Sequence, residues 1–536
     1  MPRLRSVFIA LAALGVLTPG SLAIEADYVL TGGMIVDGSG EKGYVGDLAI
    51  LGDKIVAVGE FTVEGDAERI DCTGLVVTPG FIDLHNHSDS STTVEDKETG
   101  KDISTRAILA DDTRPSACYL TQGCTTIVTG NCGGGALDVA EYYDALEKRP
   151  SGVNVAHLVP QGAVREKIIG STRRAPSEDE LMRMQQLVDD GMAAGAWGMT
   201  TGLQYVPSAY ADTDEIAALA KVVANYNGVY ASHIRDEGDT LLESIDEAIE
   251  IGRLSGAAVH ISHLKASKRR NWGKVRAAAE LIDETRAKGL RVTADQYPYE
   301  ASSTSISAML LPDEEREGGN KAVIKRLEDP AEVERLRPIV AESLAQRDRI
   351  LVASCRKRPE WNGRLVQEIA RSEGREPIEI AFELLTMGDV PGVNFGMDPR
   401  DVEWLMPRPW LATASDGGVK VEDGTKPHPR SFGTFSRKIG HYAIGEGTMP
   451  LEQAVRSSSG LPADILSMTD RGYLRPGLYA DIVVLDPATY RDTATYEEPF
   501  GMSTGVKWLL VNGSLAIRDG ELADLTAGRP LRKPAP

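Results

Sequence analysis

The pattern of apolar and polar positions changes twice along the chain. Residues 27–77 form short β-type runs, such as Tyr28-Val-Leu-Thr, Met34-Ile-Val and Lys54-Ile-Val-Ala-Val. Gly32-Gly33, Asp37-Gly38 and Gly52-Asp53 punctuate them. The same texture returns near the C-terminus. Ala480-Asp-Ile-Val-Val-Leu-Asp486 and 506–511 read as strands, and Asn512-Gly513 and Asp519-Gly520 are hairpin-turn signals. Between these ends, buried-strand runs alternate with amphipathic helical runs. The strand candidates are 81–84, 125–129, 153–159, 198–201, 229–233, 257–263, 291–294 and 410–414. Helix candidates include 177–194, 213–226, 239–255 and 275–288.

Strand–helix alternation repeated about eight times predicts an α/β fold, a (β/α)₈ TIM-type barrel. A doubly wound open sheet is the alternative, but no glycine-rich dinucleotide fingerprint supports it. The expected organisation is a small β-sandwich domain formed from both chain ends, 24–78 and 469–536, around a barrel at 79–468. A charged, helical stretch at 303–349 breaks the rhythm and reads as a loop insertion, either a lid or a solvated decoration.

The first residues have the form of a secretory leader. Arg3 and Arg5 precede an apolar run at 7–17, too short to span a bilayer, and Ser21-Leu22-Ala23 places small residues for cleavage after Ala23. The expected location is therefore exported, in the periplasm; the alternative is an uncleaved anchor. The chain has 536 residues and a formal net charge of −21, without the basic footprint that nucleic acid or an anionic membrane surface requires. Its five cysteines are too few for a disulfide scaffold, and the odd count leaves a thiol over, for which metal ligation is one use.

Candidate chemistry gathers at the predicted strand ends. The 81–84 strand runs into His85-Asn86-His87, where i and i+2 share a face and two imidazoles suit a divalent metal. His233 ends another strand. In Val259-His260-Ile261-Ser262-His263, His263 has the parity of the barrel-filling residues, with Lys265 following it, whereas His260 has the opposite parity and reads as structural. Only eight histidines exist in the chain, so four at strand ends are hard to ascribe to chance. Cys132 closes the 125–129 strand in a glycine-rich loop, and a thiolate is a good zinc ligand, although most cysteines are simply buried. Asp416 ends the eighth predicted strand. A carboxylate beside a metal can take a proton from water and return it to a leaving amine, but an aspartate before glycine is also a common turn.

Taken together and in order, several stretches resemble the amidohydrolase superfamily, and within it the N-acyl-D-amino-acid deacylases. They are Pro79-Gly-Phe-Ile-Asp-Leu-His-Asn-His87, Gly123-Cys-Thr-Thr-Ile-Val-Thr-Gly-Asn-Cys-Gly133, Ser262-His-Leu-Lys265, Asp295-Gln-Tyr-Pro-Tyr299, Ala414-Ser-Asp-Gly417, His428-Pro-Arg430 and Arg475-Pro-Gly-Leu-Tyr-Ala-Asp481. The resemblance implies one tight Zn²⁺ held by Cys132, His233 and His263, with His85 and His87 forming a second, weaker metal position. It implies Asp416 as general acid/base, and Tyr205, Lys265, Ser302 and Arg430 as substrate-binding residues. The chain departs from the family pattern at Gln161, where the resemblance leads one to expect histidine before Gly162. The implied reaction is hydrolysis of small N-acyl-D-amino acids. The alternatives are a dipeptidase for L-Xaa-D-Xaa dipeptides, a cyclic-amide hydrolase and a metal-loaded binding protein without catalysis. The oligomeric state is not legible.

Overall fold

In the computed structural model, which describes residues 23–95, 102–347 and 349–535, all eight expected strand runs are parallel strands of one barrel. They are β1 (Phe81–Asp83), β2 (Cys124–Thr129), β3 (Asn154–His157, continued by Val159–Pro160), β4 (Gly198–Gly202), β5 (Val229–His233), β6 (Ala258–Ile261), β7 (Val292–Gln296) and β8 (Leu411–Thr413). The two parts of β3 pair with β2 and β4 respectively, joining one side of the barrel to the other. The ring closes just beyond β1 and β8. There the Asp416 N–H donates to the His85 carbonyl at 2.8 Å and the His87 N–H donates to the Gly417 carbonyl at 2.7 Å.

Side-chain alternation explains why these runs are buried on both faces. One cluster unites Ile82, Val128, Ala156, Ala231 and Ala412 from five different strands, as filling of the barrel interior requires. The neighbours of opposite parity, Ile127, Val155, Tyr230, Val259 and Leu411, belong instead to the cluster shared with the surrounding helices. Those helices include α1 (Glu178–Ala193), α2 (Thr213–Asn225), α3 (Leu241–Ser255) and α4 (Val275–Ala287). They turn Val188, Ile216, Leu219, Ile245, Ile249 and Ile282 inward. Each side chain of this size stabilises the fold by about 1.5–3 kcal/mol on full burial. Ser177 and Glu180 form a capping box that starts α1, and the Asp212 side chain caps α2.

Both chain ends build the β domain. Tyr28–Ile35, Tyr44–Leu51, Lys54–Gly59, Glu68–Asp71 and Val76–Pro79 share one nine-stranded sheet with Ile482–Leu485, Val506–Val511, Ser514–Arg518 and Glu521–Leu522. The two ends meet where Val76–Pro79 pairs antiparallel with Ile482–Leu485. Leu30, Ile50, Ile55, Val77, Ile482 and Leu510 pack within it. Only Gly80 separates this sheet from β1, so the domain fixes where the first barrel strand begins.

The insertion differs from the 303–349 stretch expected from charge and helical pattern. It runs on to Asn394, because Ser302–Ser305, Pro391–Asn394 and Ile350–Val352 pair as a three-stranded antiparallel sheet. Helices Pro330–Ala345, Val366–Glu373 and Pro377–Thr386 complete a separate core around Leu336, Val340, Trp361, Ile369 and Leu384. The short strands were obscured by the helical runs around them. The expected leader lies outside the described residues, except for Ala23. No helix among the described residues is long and apolar enough to cross a membrane.

Lys438, on the π-helical segment Arg437–Gly445, is 1% exposed, and its ammonium has no hydrogen-bond partner among the described residues. Burial pushes its pKa down to about 7. The folded value thus lies below the unfolded one, so the unfolded state binds more protons between them. This residue's contribution to stability should therefore rise with pH from about 7 toward about 10. Lys438→Met should raise the thermal unfolding temperature at pH 7 by a few degrees, with a smaller gain at pH 10. Equal destabilisation at both pH values would show that the ammonium has a partner.

Candidate metal centre

The ends of β1, β2, β5, β6 and β8 bring the expected residues together at one mouth of the barrel. Cys132 follows β2, and its Sγ lies 3.3 Å from His85 Nε2, 3.6 Å from His233 Nδ1 and 3.8 Å from His263 Nε2. His233 Nδ1 and His263 Nε2 are 2.8 Å apart. Asp416 Oδ1 lies 3.0 Å from His87 Nε2 and 3.4 Å from His85 Nε2. Among the described residues, three donor sets fall within 4.8 Å internally: His85, Cys132 and His263; His85, His87 and Asp416; and His233, Glu237 and His263.

Strand parity aims only His233, which ends β5 in register with the interior residues Val229 and Ala231. β1 stops at Asp83 and β6 at Ile261, so His85, His87 and His263 lie beyond the pleat. Instead the backbone turns left-handed: Cys132 has φ 53°, His263 φ 37° and Asp416 φ 51°. Only nine non-glycine residues among those described have positive φ, and three of them are here. Such backbone costs on the order of 1–2 kcal/mol for a residue with a Cβ, so the surrounding packing must hold it. Gly202 shows how close that packing is, since a Cβ there would lie 2.1 Å from the Cys132 carbonyl oxygen.

A layer of supporting contacts orients the donors. The Glu237 carboxylate lies 2.8 Å from His263 Nδ1 and forms an ion pair with Lys265. With Nδ1 engaged, His263 presents Nε2 to Cys132 and His233, the usual arrangement behind a metal-ligating imidazole. Asp295 accepts the His263 backbone N–H at 2.6 Å and meets His260 Nε2 at 2.8 Å. The parity expected along β6 is reversed: Val259 and Ile261 pack toward the helices, so His260 points into the barrel, where it supports Asp295. Asp83 accepts from Asn86 and from the Ser415 backbone, which ties β1 to the Asp416 turn. Glu237 carried no signal in the sequence, because it sits in a loop four residues beyond His233.

The remaining expected residues are also in place, with two changes of partner. The Tyr205 ring packs against His233 with centroids 4.7 Å apart, and its hydroxyl accepts from Thr304 at 3.0 Å. Ser302 lines the same cavity of about 970 Å³ as Tyr205, His233, His263, Lys265 and Asp416. Lys265 and Arg430, expected at a substrate carboxylate, both face carboxylates of the protein. Lys265 meets Glu237, and Arg430 Nη1 lies 2.7 Å from Asp416 Oδ2. Gln161 is buried away from the donors, where it accepts from Ser208 at 2.5 Å and donates to Glu215 at 3.2 Å. Ser208 in turn backs Gly133, whose added Cβ would lie 2.8 Å from that hydroxyl. The departure at Gln161 therefore falls on support for the Cys132 loop.

Electrostatics favour the anionic forms of Cys132 and Asp416, and these anions in turn, against the effect of burial, draw protons onto His85, His87 and His263. Burial opposes the Cys132 thiolate, but His85 and His233 outweigh it and hold the thiol well below its ordinary range. Burial likewise opposes ionised Asp416, and Arg430, His263 and His85 outweigh it. One thiolate, four imidazoles and a carboxylate fit zinc. Two imidazole nitrogens 2.8 Å apart cannot both carry protons toward each other, and their lone pairs converge beside the thiolate.

Comparison with known proteins agrees with this geometry. The model of the amidohydrolase family matches residues 68–516. The chain is similar to a D-aminoacylase of Alcaligenes xylosoxydans xylosoxydans, 33% identical over 532 residues, which cover 95% of this chain and 98% of that protein. It is similar in structure to an N-acyl-D-glutamate deacylase from Bordetella bronchiseptica, complexed with zinc and a phosphonate inhibitor. That match has a TM-score of 0.79 and 31% identity, covering 95% of this chain and 100% of that one. A D-aminoacylase structure described by a binuclear metal centre, with one-metal activation and second-metal attenuation, matches with a TM-score of 0.78 and 32% identity. It covers 95% of this chain and 100% of that one.

Cys132→Ala should lose bound zinc, by about tenfold or more after dialysis, while keeping its helical circular dichroism. Retention of wild-type zinc content by this variant would make Cys132 a packing residue.

Proposed function

The chain belongs to the amidohydrolase family, and from that premise we propose that it is a zinc-dependent hydrolase of N-acyl-D-amino acids, releasing a carboxylate and a free D-amino acid. The observation that carries the reading is the convergence of Cys132, His233 and His263 with Asp416 at the barrel mouth. Cys132, His233 and His263 would hold the tight zinc. His85, His87 and Asp416 surround the second, weaker position. Zinc, when bound, supplies Lewis acidity that polarises a carbonyl and acidifies water.

The chain's own groups do the rest. Asp416 is ionised and buried, with Oδ1 toward the histidines and Oδ2 held by Arg430. It takes one proton from the attacking water and delivers it to the amide nitrogen as the C–N bond breaks, so the amine leaves neutral. Arg430 fixes the carboxylate's orientation. Glu237 and Asp295 hold His263, and Tyr205 walls the cavity over His233. Lys265, Ser302 and Tyr205 face the cavity in which the substrate lies. A second reading, hydrolysis of L-Xaa-D-Xaa dipeptides, is supported by the size of that cavity, about 970 Å³.

Zinc-loaded protein should hydrolyse N-acetyl-D-amino acids and leave the L-enantiomers largely intact. Asp416→Asn should lower kcat by about 10²–10⁴-fold at unchanged zinc content. Equal rates on both enantiomers would defeat the stereochemical part of the reading, and a near-normal kcat in Asp416→Asn would pass the proton transfer to another group.

We further propose that the protein is exported to the periplasm after loss of residues 1–23. Arg3 and Arg5, the apolar run at 7–17 and Ser21-Leu22-Ala23 support this. The mature protein recovered from the cell envelope should begin at Ile24; recovery with Met1 would contradict it.

A further inference from the structure

Four arginines are buried among the described residues: Arg165, Arg316, Arg430 and Arg471. Three of them meet a carboxylate of the protein, Glu215, Asp416 and Asp481 respectively. Arg316 does not. Its Nε donates to the Leu311 carbonyl at 3.1 Å and one terminal nitrogen donates to the Gln204 carbonyl at 2.7 Å. Those bonds hold the guanidinium in place, but no carboxylate among the described residues lies at ion-pair distance; Asp313 and Glu314 act on it only from farther off, and burial outweighs them.

Its position bears on the reaction. Arg316 comes from the insertion and grips the residue before Tyr205, whose ring covers His233. It lines the 970 Å³ cavity that reaches Asp416, and also an adjoining cavity of about 490 Å³ that reaches Cys132. Other cations at the larger cavity each meet a carboxylate: Arg173 meets Glu314, Arg174 Glu180, Arg235 Glu247 and Lys265 Glu237, while Lys268 and Arg270 share Asp239. A second exception is Arg347, also from the insertion. Its Nη1 donates to the Ser343 carbonyl at 2.9 Å, its Nε is buried without a partner, and no described carboxylate lies at ion-pair distance.

We propose that the preferred substrate carries a second anionic group besides its α-carboxylate, and that Arg316, assisted by Arg347, receives it. The inference rests on the reading of this site as an N-acyl-D-amino-acid hydrolase. A carboxylate is the fitting partner, because a guanidinium binds it by parallel charge-assisted hydrogen bonds. It can sit on the amino-acid side chain or on the acyl arm, since Arg316 borders both cavities. The insertion thus contributes to substrate choice, while the barrel carries the chemistry.

The test compares kcat/KM of the zinc-loaded full chain on N-acetyl-D-glutamate, N-succinyl-D-leucine and N-acetyl-D-leucine. At least one dianionic substrate should exceed N-acetyl-D-leucine by about tenfold or more. Preference for the glutamate compound places the charge on the side chain, and preference for the succinyl compound places it on the acyl arm. In Arg316→Met and in Arg347→Met the dianion-to-monoanion ratio should fall toward one, mainly through KM. The wild-type comparison and Arg347→Met keep the test decisive if Arg316→Met does not fold. N-acetyl-D-leucine cleaved as well as both dianionic substrates overturns this inference alone. Failure to cleave any of the three overturns the hydrolase reading, and the inference with it.

Discussion

His233 Nδ1 and His263 Nε2 lie 2.8 Å apart, with the Cys132 sulfur within 3.8 Å of both. A proton can satisfy one of these contacts at a time, whereas a single divalent cation satisfies two imidazole nitrogens and a thiolate at once. Much of the molecule serves that juxtaposition. The eight-stranded ring brings the ends of β2, β5 and β6 to one face. Left-handed turns at Cys132 and His263 then rotate the side chains inward past the point where the strands stop. The absence of a side chain at Gly202 lets β4 lie against the Cys132 turn.

The proton-transfer group is tied into the same frame. Backbone hydrogen bonds between Asp416 and His85, and between His87 and Gly417, are also the bonds that close the barrel between β1 and β8. Asp416 therefore cannot drift relative to the histidines without opening the ring. Arg430 adds a charged brace on the far oxygen. The β domain contributes at one remove, delivering the chain to β1 through the single residue Gly80.

The barrel was legible because its strands are short runs with little charge, regularly separated by amphipathic helices, a pattern that local sequence carries directly. The donor residues were legible because rare residue types, His and Cys, fall where those strands end. The reason given for their convergence was incomplete: parity stops applying at Asp83 and Ile261, and the turns that aim His85 and His263 depend on tertiary packing. Glu237 and Arg316 were illegible for a related reason. A loop glutamate and an arginine in a charged insertion look like solvated surface until the fold buries them. The insertion's extent was missed because Ile350–Val352 and Pro391–Asn394 are short and pair across helical sequence.

The central claim is that a zinc ion binds where the Cys132 thiolate meets the imidazoles of His233 and His263. X-ray absorption at the zinc edge of protein loaded with one equivalent tests it without reference to any substrate. The account predicts one sulfur neighbour per zinc, with nitrogen and oxygen making up the remainder. A shell of nitrogen and oxygen alone would contradict it.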